Sequence, residues 1–106
     1  MFAVVYRWRI KPGLEAKFEE GWAKGTMAIR RDLGGWGSRL HRTADGRYFA
    51  YAQWPDEASF MKNRAERMPY SDPEARKLYT EALEDSEAEL LIMGEVQNDL
   101  LIKDRE

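Results

Sequence analysis

From Phe2 to Ile10 the chain alternates, with Phe2, Val4, Tyr6, Trp8 and Ile10 on one side and Ala3, Val5, Arg7 and Arg9 on the other. A period of two predicts a strand. Lys11-Pro12-Gly13 breaks it. From about Leu14 to Arg31 the period becomes helical, and Leu14, Phe18, Trp22, Gly25 and Ile29 form the apolar stripe. Gly21 and Gly25 lie inside this helix, each at a cost of about 1 kcal/mol relative to Ala. Two reasons compete: close packing on the sheet, or clearance for a ligand beside Trp22. Gly34-Gly35 ends the helical stretch.

The next run, Trp36 to Trp54, has β-rich halves around Asp45-Gly46. Asp-Gly is a strong signal for a two-residue hairpin turn. With those two residues as the turn, His41 faces Ala50, Leu40 faces Tyr51 and Arg39 faces Ala52. One hairpin face then carries Leu40, Arg42, Phe49 and Tyr51 with Ser38 and Gln53. The other carries Arg39, His41, Tyr48 and Trp54 over the small Gly37, Ala50 and Ala52.

Pro55-Asp56 opens a second helix to about Arg67, with Ala58, Met61, Ala65 and Met68 as its stripe, and Pro69 closes it. Asp72-Pro73-Glu74 reads as the N-cap and first turn of a third helix, striped by Ala75, Leu78, Tyr79 and Ala82. A last strand is expected from about Leu90 to Ile102, followed by the charged tail Lys103-Asp104-Arg105-Glu106. The order β-α-β-β-α-α-β is the α+β, ferredoxin-like βαββαβ pattern with one extra helix. It predicts a four-stranded antiparallel sheet with helices on one face. The bare face would hold about two or three aromatic residues, and a bare apolar face usually marks a binding site or interface.

Composition narrows the function classes. With 106 residues the chain has room for one domain, 1–106. Lys and Arg total 17, Asp and Glu 19, so no general pull toward nucleic acid or an anionic membrane is expected. No apolar run approaches the ~18 residues of a membrane span. The start M-F-A-V-V-Y-R-W-R lacks the order of a signal peptide, so a cytoplasmic location is the expectation. The absence of Cys removes disulfides, thiolate catalysis and Cys-ligated metal. One His leaves any metal to carboxylates or a partner chain, and no metal site is assigned.

Local motifs mostly have ordinary readings. Gly34-Gly35-Trp36-Gly37 precedes a strand and lacks the helix N-terminus that holds phosphate. Ser38 and His41 point to opposite faces of one strand, which rules out Ser-His catalysis by spacing. Glu81, Glu84, Asp85, Glu87 and Glu89 read as a solvated face. Arg47 to Trp54 resembles the RNP1 signature of RNA-recognition motifs. Tyr48 stands where that signature has Gly, the first strand offers no partner motif, and the net charge of −2 is poor for a phosphate-binding surface.

A second resemblance spans nearly the whole chain. Y-R-W-R-I-K-P-G at Tyr6–Gly13, G-G-W-G-S-R-L-H-R at Gly34–Arg42 and Y-A-Q-W at Tyr51–Trp54 are similar to the antibiotic biosynthesis monooxygenase (ABM) family. The resemblance implies a ferredoxin-like domain that dimerises sheet to sheet into an α+β barrel. It implies that some members oxidise anthrones or quinols with O2 and neither metal nor flavin, that others degrade haem, and that many have no known activity. Trp54, His41 and Tyr51 match a Trp, a His and a Tyr of the cofactor-free anthrone oxygenases. The Asn that those enzymes place four residues before the Trp falls on Ala50. Haem-degrading relatives use a His on or just after the helix that follows the Trp, and no His follows His41 here; a position where many relatives carry His holds Asn63.

Two functional expectations follow. One is a homodimeric, cofactor-independent monooxygenase of an aromatic, anthrone- or quinol-like compound. In it His41 relays a proton, since an imidazole titrates near neutral pH. Arg39 holds the developing oxyanion, Trp54 stacks on the substrate, and Trp22, Phe18 and Ala50 line the pocket. The alternative is a non-catalytic dimeric domain that binds a small hydrophobic ligand. In both, Leu40, Phe49 and Tyr51 form the dimer interface, since each buried side chain is worth ~1.5–3 kcal/mol.

Overall fold

A computed structural model describes residues 1–102. Its elements are β1 (Phe2–Trp8), α1 (Glu15–Leu33), β2 (Ser38–Arg42), β3 (Tyr48–Trp54), α2 (Glu57–Ala65), α3 (Pro73–Ala82) and β4 (Glu89–Glu95). The strands form one antiparallel sheet in the order β2-β3-β1-β4. The fold is the expected α+β arrangement, with helices on one face of the sheet. The fourth strand stops at Glu95, short of the expected Ile102. The charged tail from Lys103 onward lies outside the described residues.

The alternation along β1 sets the layers. Phe2, Val4 and Trp8 are buried beneath the helices. Phe2 pairs with Trp54, Val4 with Ala52, Tyr6 with Ala50 and Trp8 with Tyr48, so the even positions of both central strands share that face. Two aromatic cores result. Trp8, Phe18, Tyr48, Ala50, Ala82 and Leu83 make one; Phe2, Val4, Trp54 and Phe60 make the other. The half-buried Tyr6 touches both.

Helix α3 begins as the sequence predicts, with Pro73 in the first turn and the Asp72 carboxylate accepting the Ala75 amide proton at 3.0 Å. It packs on α1, while α2 lies on β3. Gly21 is where α1 and α3 meet: a Cβ there would come within 2.5 Å of the Tyr79 backbone nitrogen. Gly25 makes room for the Tyr70 hydroxyl, 3.1 Å from the position of its missing Cβ. Both helix glycines thus serve packing, against α3 and the segment before it rather than against the sheet. Helix α2 turns a different side inward than its Ala and Met spacing suggests. Phe60 and Asn63 are buried, while Ala58 and Met61 are exposed.

The hairpin register corrects the sequence reading. The turn is a three-residue loop, Ala44-Asp45-Gly46, closed by the Thr43 amide on the Arg47 carbonyl at 2.8 Å. Gly46 takes φ of 84°, the left-handed conformation that such a loop requires at its third residue. Thr43 stabilises the loop from inside: its hydroxyl accepts the Arg47 amide proton at 2.9 Å and donates to Asp45. Leu40 therefore pairs with Ala50, His41 with Phe49 and Arg39 with Tyr51. A slip of one residue moves all of β2 to the opposite face. Leu40 lies on the helix face and packs against the core around Trp8 and Phe18. His41 and Arg39 lie on the open face.

Candidate functional site

Between the two aromatic cores, on the helix side of the sheet, a cleft of about 410 Å³ runs over Tyr6. That volume lies within the ~300–1,000 Å³ range of small-molecule sites. Trp22 from α1 and Trp54 from β3 form apolar walls, and Ala52 lines the sheet beside Trp54. Trp54 is held by Phe60, whose ring meets it edge-on at 5.8 Å. Tyr70 and Tyr79 close the α3 side.

The polar groups of the cleft are mainly donors. The Trp8 indole N–H donates to the Tyr79 hydroxyl oxygen at 2.6 Å, so the Tyr79 hydroxyl proton remains available at the wall. Burial pushes the Tyr79 phenol up to about 12, against a smaller lowering by that indole. Burial also raises the Tyr6 and Tyr70 phenols. All three are neutral at physiological pH and serve as hydrogen-bond donors rather than bases. Arg76 lies with its guanidinium 4.3 Å from the Tyr70 ring centre and donates to the Met68 carbonyl. The stacked ring and the carbonyl fix this arginine at the cleft edge.

The segment that presents these groups is unusual in its backbone. Arg67 and Met68, which follow α2, take φ of 60° and 49°. Two bonds hold the pair there: the Arg67 amide on the Arg64 carbonyl at 3.0 Å and the Met68 amide on the Asn63 carbonyl at 2.8 Å. Further on, the Asp32 carboxylate accepts the Ser71 amide proton at 2.7 Å, and Arg31 donates to the Ser71 carbonyl at 3.0 Å. The end of α1 thereby anchors the segment bearing Tyr70. Arg31 and the Ser71 amide hold the Asp32 carboxyl down at about 2.

The structure brings together only part of the constellation expected from sequence. Trp54 and Trp22 share the cleft. Phe18 has no exposed surface and lies between Trp8, at 5.4 Å, and Tyr48, at 5.0 Å; it is core beneath the cleft rather than its wall. Ala50 is buried in that same core and faces Leu40, not His41. His41 and Arg39 sit on the other side of the sheet. The His41 ring stacks on Phe49 at 4.4 Å and its Nδ1 lies 3.3 Å from the Phe49 carbonyl oxygen. Of the expected interface residues, Phe49 and Tyr51 share the open face with His41, whereas Leu40 does not.

Tyr6, Tyr70, Tyr79 and Arg76 were not singled out for the site from the sequence. Tyr79 stood in the stripe of α3, and Arg76 lies three residues before it, which places both on neighbouring positions of one helix face. Tyr70 belongs to no periodic element; its trace in the sequence is the gap left by Gly25. A second depression of about 520 Å³ lies at the Arg7 end of the sheet. Its charges are largely spent on one another: Arg7 makes a two-point pair with Glu89 and Arg9 another with Asp85.

Among the described residues no cluster of His, Cys, Asp or Glu could hold a metal ion, and no helix is long and apolar enough to cross a membrane. The family model for antibiotic biosynthesis monooxygenases matches residues 1–67. Solved structures of similar fold include a protein of Bordetella bronchiseptica described as an antibiotic biosynthesis monooxygenase, with TM-score 0.70 at 23% identity over 92% of this chain and 97% of that one. They also include SnoaB, a cofactor-independent oxygenase of Streptomyces nogalater, with TM-score 0.66 at 18% identity over 93% of this chain and 95% of that one. A Mycobacterium tuberculosis protein, Rv0793, has TM-score 0.65 at 14% identity over 94% of this chain and 98% of that one. At these identities the likeness carries the fold alone. No curated protein sequence matches the chain significantly.

Proposed function

Since the chain belongs to the antibiotic biosynthesis monooxygenase family, we propose that it oxidises an aromatic, anthrone- or quinol-like compound with O2, and that the helix-side cleft is where it does so. The observation that carries this reading is the make-up of the cleft: three tryptophans and three neutral tyrosines beside a fixed arginine. Such a site favours the anion of a flat substrate over its neutral form. Anthrones and hydroquinones ionise readily, and their anions pass an electron to O2 without help from a metal. For a benzylic CH2 flanked by aromatic rings, loss of a proton and an electron gives a carbon radical and superoxide. Their recombination gives a peroxide anion, which takes back the lost proton as the hydroperoxide, and loss of water leaves the ketone, so the two oxygen atoms end in C=O and H2O.

Trp54 and Trp22 stack on the substrate, and Arg76 with the Tyr79 hydroxyl holds the developing oxyanion. This reading leaves His41 and Arg39 outside the chemistry. They belong instead to a face that includes Val5, Phe49, Tyr51 and the two-thirds exposed Ile92. We assign that face to a second copy of the chain, paired sheet to sheet.

O2 uptake with a panel of anthrones and hydroquinones, in the presence of chelator, tests the reading. Turnover that Arg76→Gln lowers roughly ten- to a hundredfold, the worth of one charge-assisted bond made in the transition state, supports it. The shortage of bases in the cleft, where Glu87 is the single carboxylate, favours one other reading: a non-catalytic domain holding a hydrophobic ligand. A saturating spectral shift without O2 consumption would establish that alternative.

A further inference from the structure

Charge around the cleft is lopsided. Chain-wide, acidic residues outnumber basic ones, 19 to 17. The cleft lining reverses this, with Arg30, Arg64, Arg67 and Arg76 against Glu87 alone. Among the described residues none of these four arginines is paired with a carboxylate, whereas Arg7, Arg9, Arg31 and Arg47 all are. The interactions recorded for the cleft arginines are with neutral groups: the Met68 carbonyl and the Tyr70 ring for Arg76, and the Met27 thioether for Arg30. Unpaired guanidinium groups of one sign around a low-dielectric aromatic cleft focus a positive potential into it.

The backbone contributes to this arrangement. Arg64 lies in the last turn of α2 and Arg67 follows three residues later; the left-handed Arg67-Met68 pair then sends the chain on to Tyr70 along the same wall. Arg76 meets that wall from α3 through the Met68 carbonyl. Arg64, Arg67 and Arg76 thus line the cleft together with the Met68 segment, and the tryptophans line it as well. One transient enolate oxygen needs a single such partner. The surplus has a use when the ligand carries a permanent anion, and a guanidinium fork matches a carboxylate in two-point geometry.

We infer that the ligand of this cleft is a planar aromatic carboxylate, its rings against Trp22 and Trp54 and its carboxylate at Arg64 and Arg67, which leaves Arg76 to the oxyanion. The inference rests on the helix-side cleft being the ligand site, as proposed above. It adds a substrate class: an aromatic acid rather than a neutral polycycle.

A matched pair of probes tests it on the full chain: anthracene-2-carboxylate against 2-(hydroxymethyl)anthracene, both followed by quenching of tryptophan fluorescence. The acid should bind roughly tenfold or more tighter than the alcohol at about 0.05 M salt. That preference should shrink at about 0.5 M salt and in both Arg64→Gln and Arg67→Gln. Because these arginines are exposed, the variants keep the fold, and circular dichroism verifies it. Equal binding of the two probes would overturn the aromatic-acid inference and leave the cleft as a site for neutral aromatics. Binding of neither would overturn the inference together with the cleft reading. A preference for the acid that both variants retain in full would also overturn it, since the selecting charge would then lie elsewhere.

Discussion

The two faces of the sheet draw on the same strands and both carry aromatic residues, yet they are suited to different partners. On the helix side Trp8, Tyr48 and Trp54 are buried by α1 and α2, and the space left between the cores is a concave cleft with unpaired arginines around it. On the open side Phe49, Tyr51 and Ile92 stand beside Arg7, whose charge is taken by Glu89. Concavity and free charge suit a small anionic ligand. A flatter apolar surface suits another protein surface. Aromatic residues stand on both faces, and the register of β2 adds Leu40 to the helix side and His41 to the open side.

The largest effect expected from breaking this comparison is at Phe18. As core, Phe18→Ala should destabilise the fold by about 3–5 kcal/mol, seen as a large fall in the urea midpoint. Were Phe18 a wall of the ligand site, stability would hold and probe affinity would drop instead. Ala50 sharpens the same point. An Asn at this position would bury an amide among Trp8, Phe18 and Tyr48, at a cost of roughly 1–3 kcal/mol. A stable Ala50→Asn protein with faster anthrone oxidation would put Ala50 back into the site.

The open face makes a prediction about assembly. At micromolar concentration sedimentation should give about twice the 12.4 kDa chain mass. Phe49→Glu should weaken association at least tenfold, at about 1.4 kcal/mol for each tenfold. Leu40→Ala should instead lower stability, because Leu40 packs in the core. A monomeric wild type at that concentration would remove the proposed role of this face.

The smallest effect concerns the anchor at Ser71. The Asp32 carboxyl titrates at about 2 in the folded chain, below its ordinary value near 3.8. A depressed carboxyl stabilises the fold above the unfolded value and loses that contribution as pH falls through the folded one. The stability gap between wild type and Asp32→Asn should therefore be constant above about pH 5 and close between about pH 4 and pH 2. Urea midpoints across that range measure it, and a gap that persists at pH 2 would show that the anchor does not act through the charge of Asp32.

Most of the fold was legible because β1 buries Phe2, Val4 and Trp8 at a clean period of two and α1 and α3 keep their apolar stripes at a clean helical period. Helix α2 was read on the wrong side because its phase was taken from several small or flexible residues, while the single Phe60 decides which side packs. The hairpin failed for a different reason. Asp-Gly fits a two-residue turn, but it also fits the last two places of a three-residue loop with Gly in the left-handed position. The alternation of β2 held the answer: Leu40 is its one large apolar residue and belongs with Tyr48, Ala50 and Trp54 in the core. Choosing the turn first and the pattern second put His41 and Arg39 beside Trp54. The arginines of the cleft were beyond a periodic reading, since Arg64 and Arg67 join Arg76 in lining the cleft through the left-handed backbone after α2.

The central claim is that ligand binds on the helix side of the sheet. The most direct measurement is a titration of the ¹⁵N-labelled protein with anthracene-2-carboxylate, following the tryptophan indole N–H signals and the His41 imidazole together. The account predicts that Trp22 and Trp54 shift and saturate with the ligand, while His41 and the exposed Trp36 stay in place. Saturating shifts of His41 and the Phe49 amide, with Trp22 and Trp54 unmoved, would contradict it and put the site on the open face.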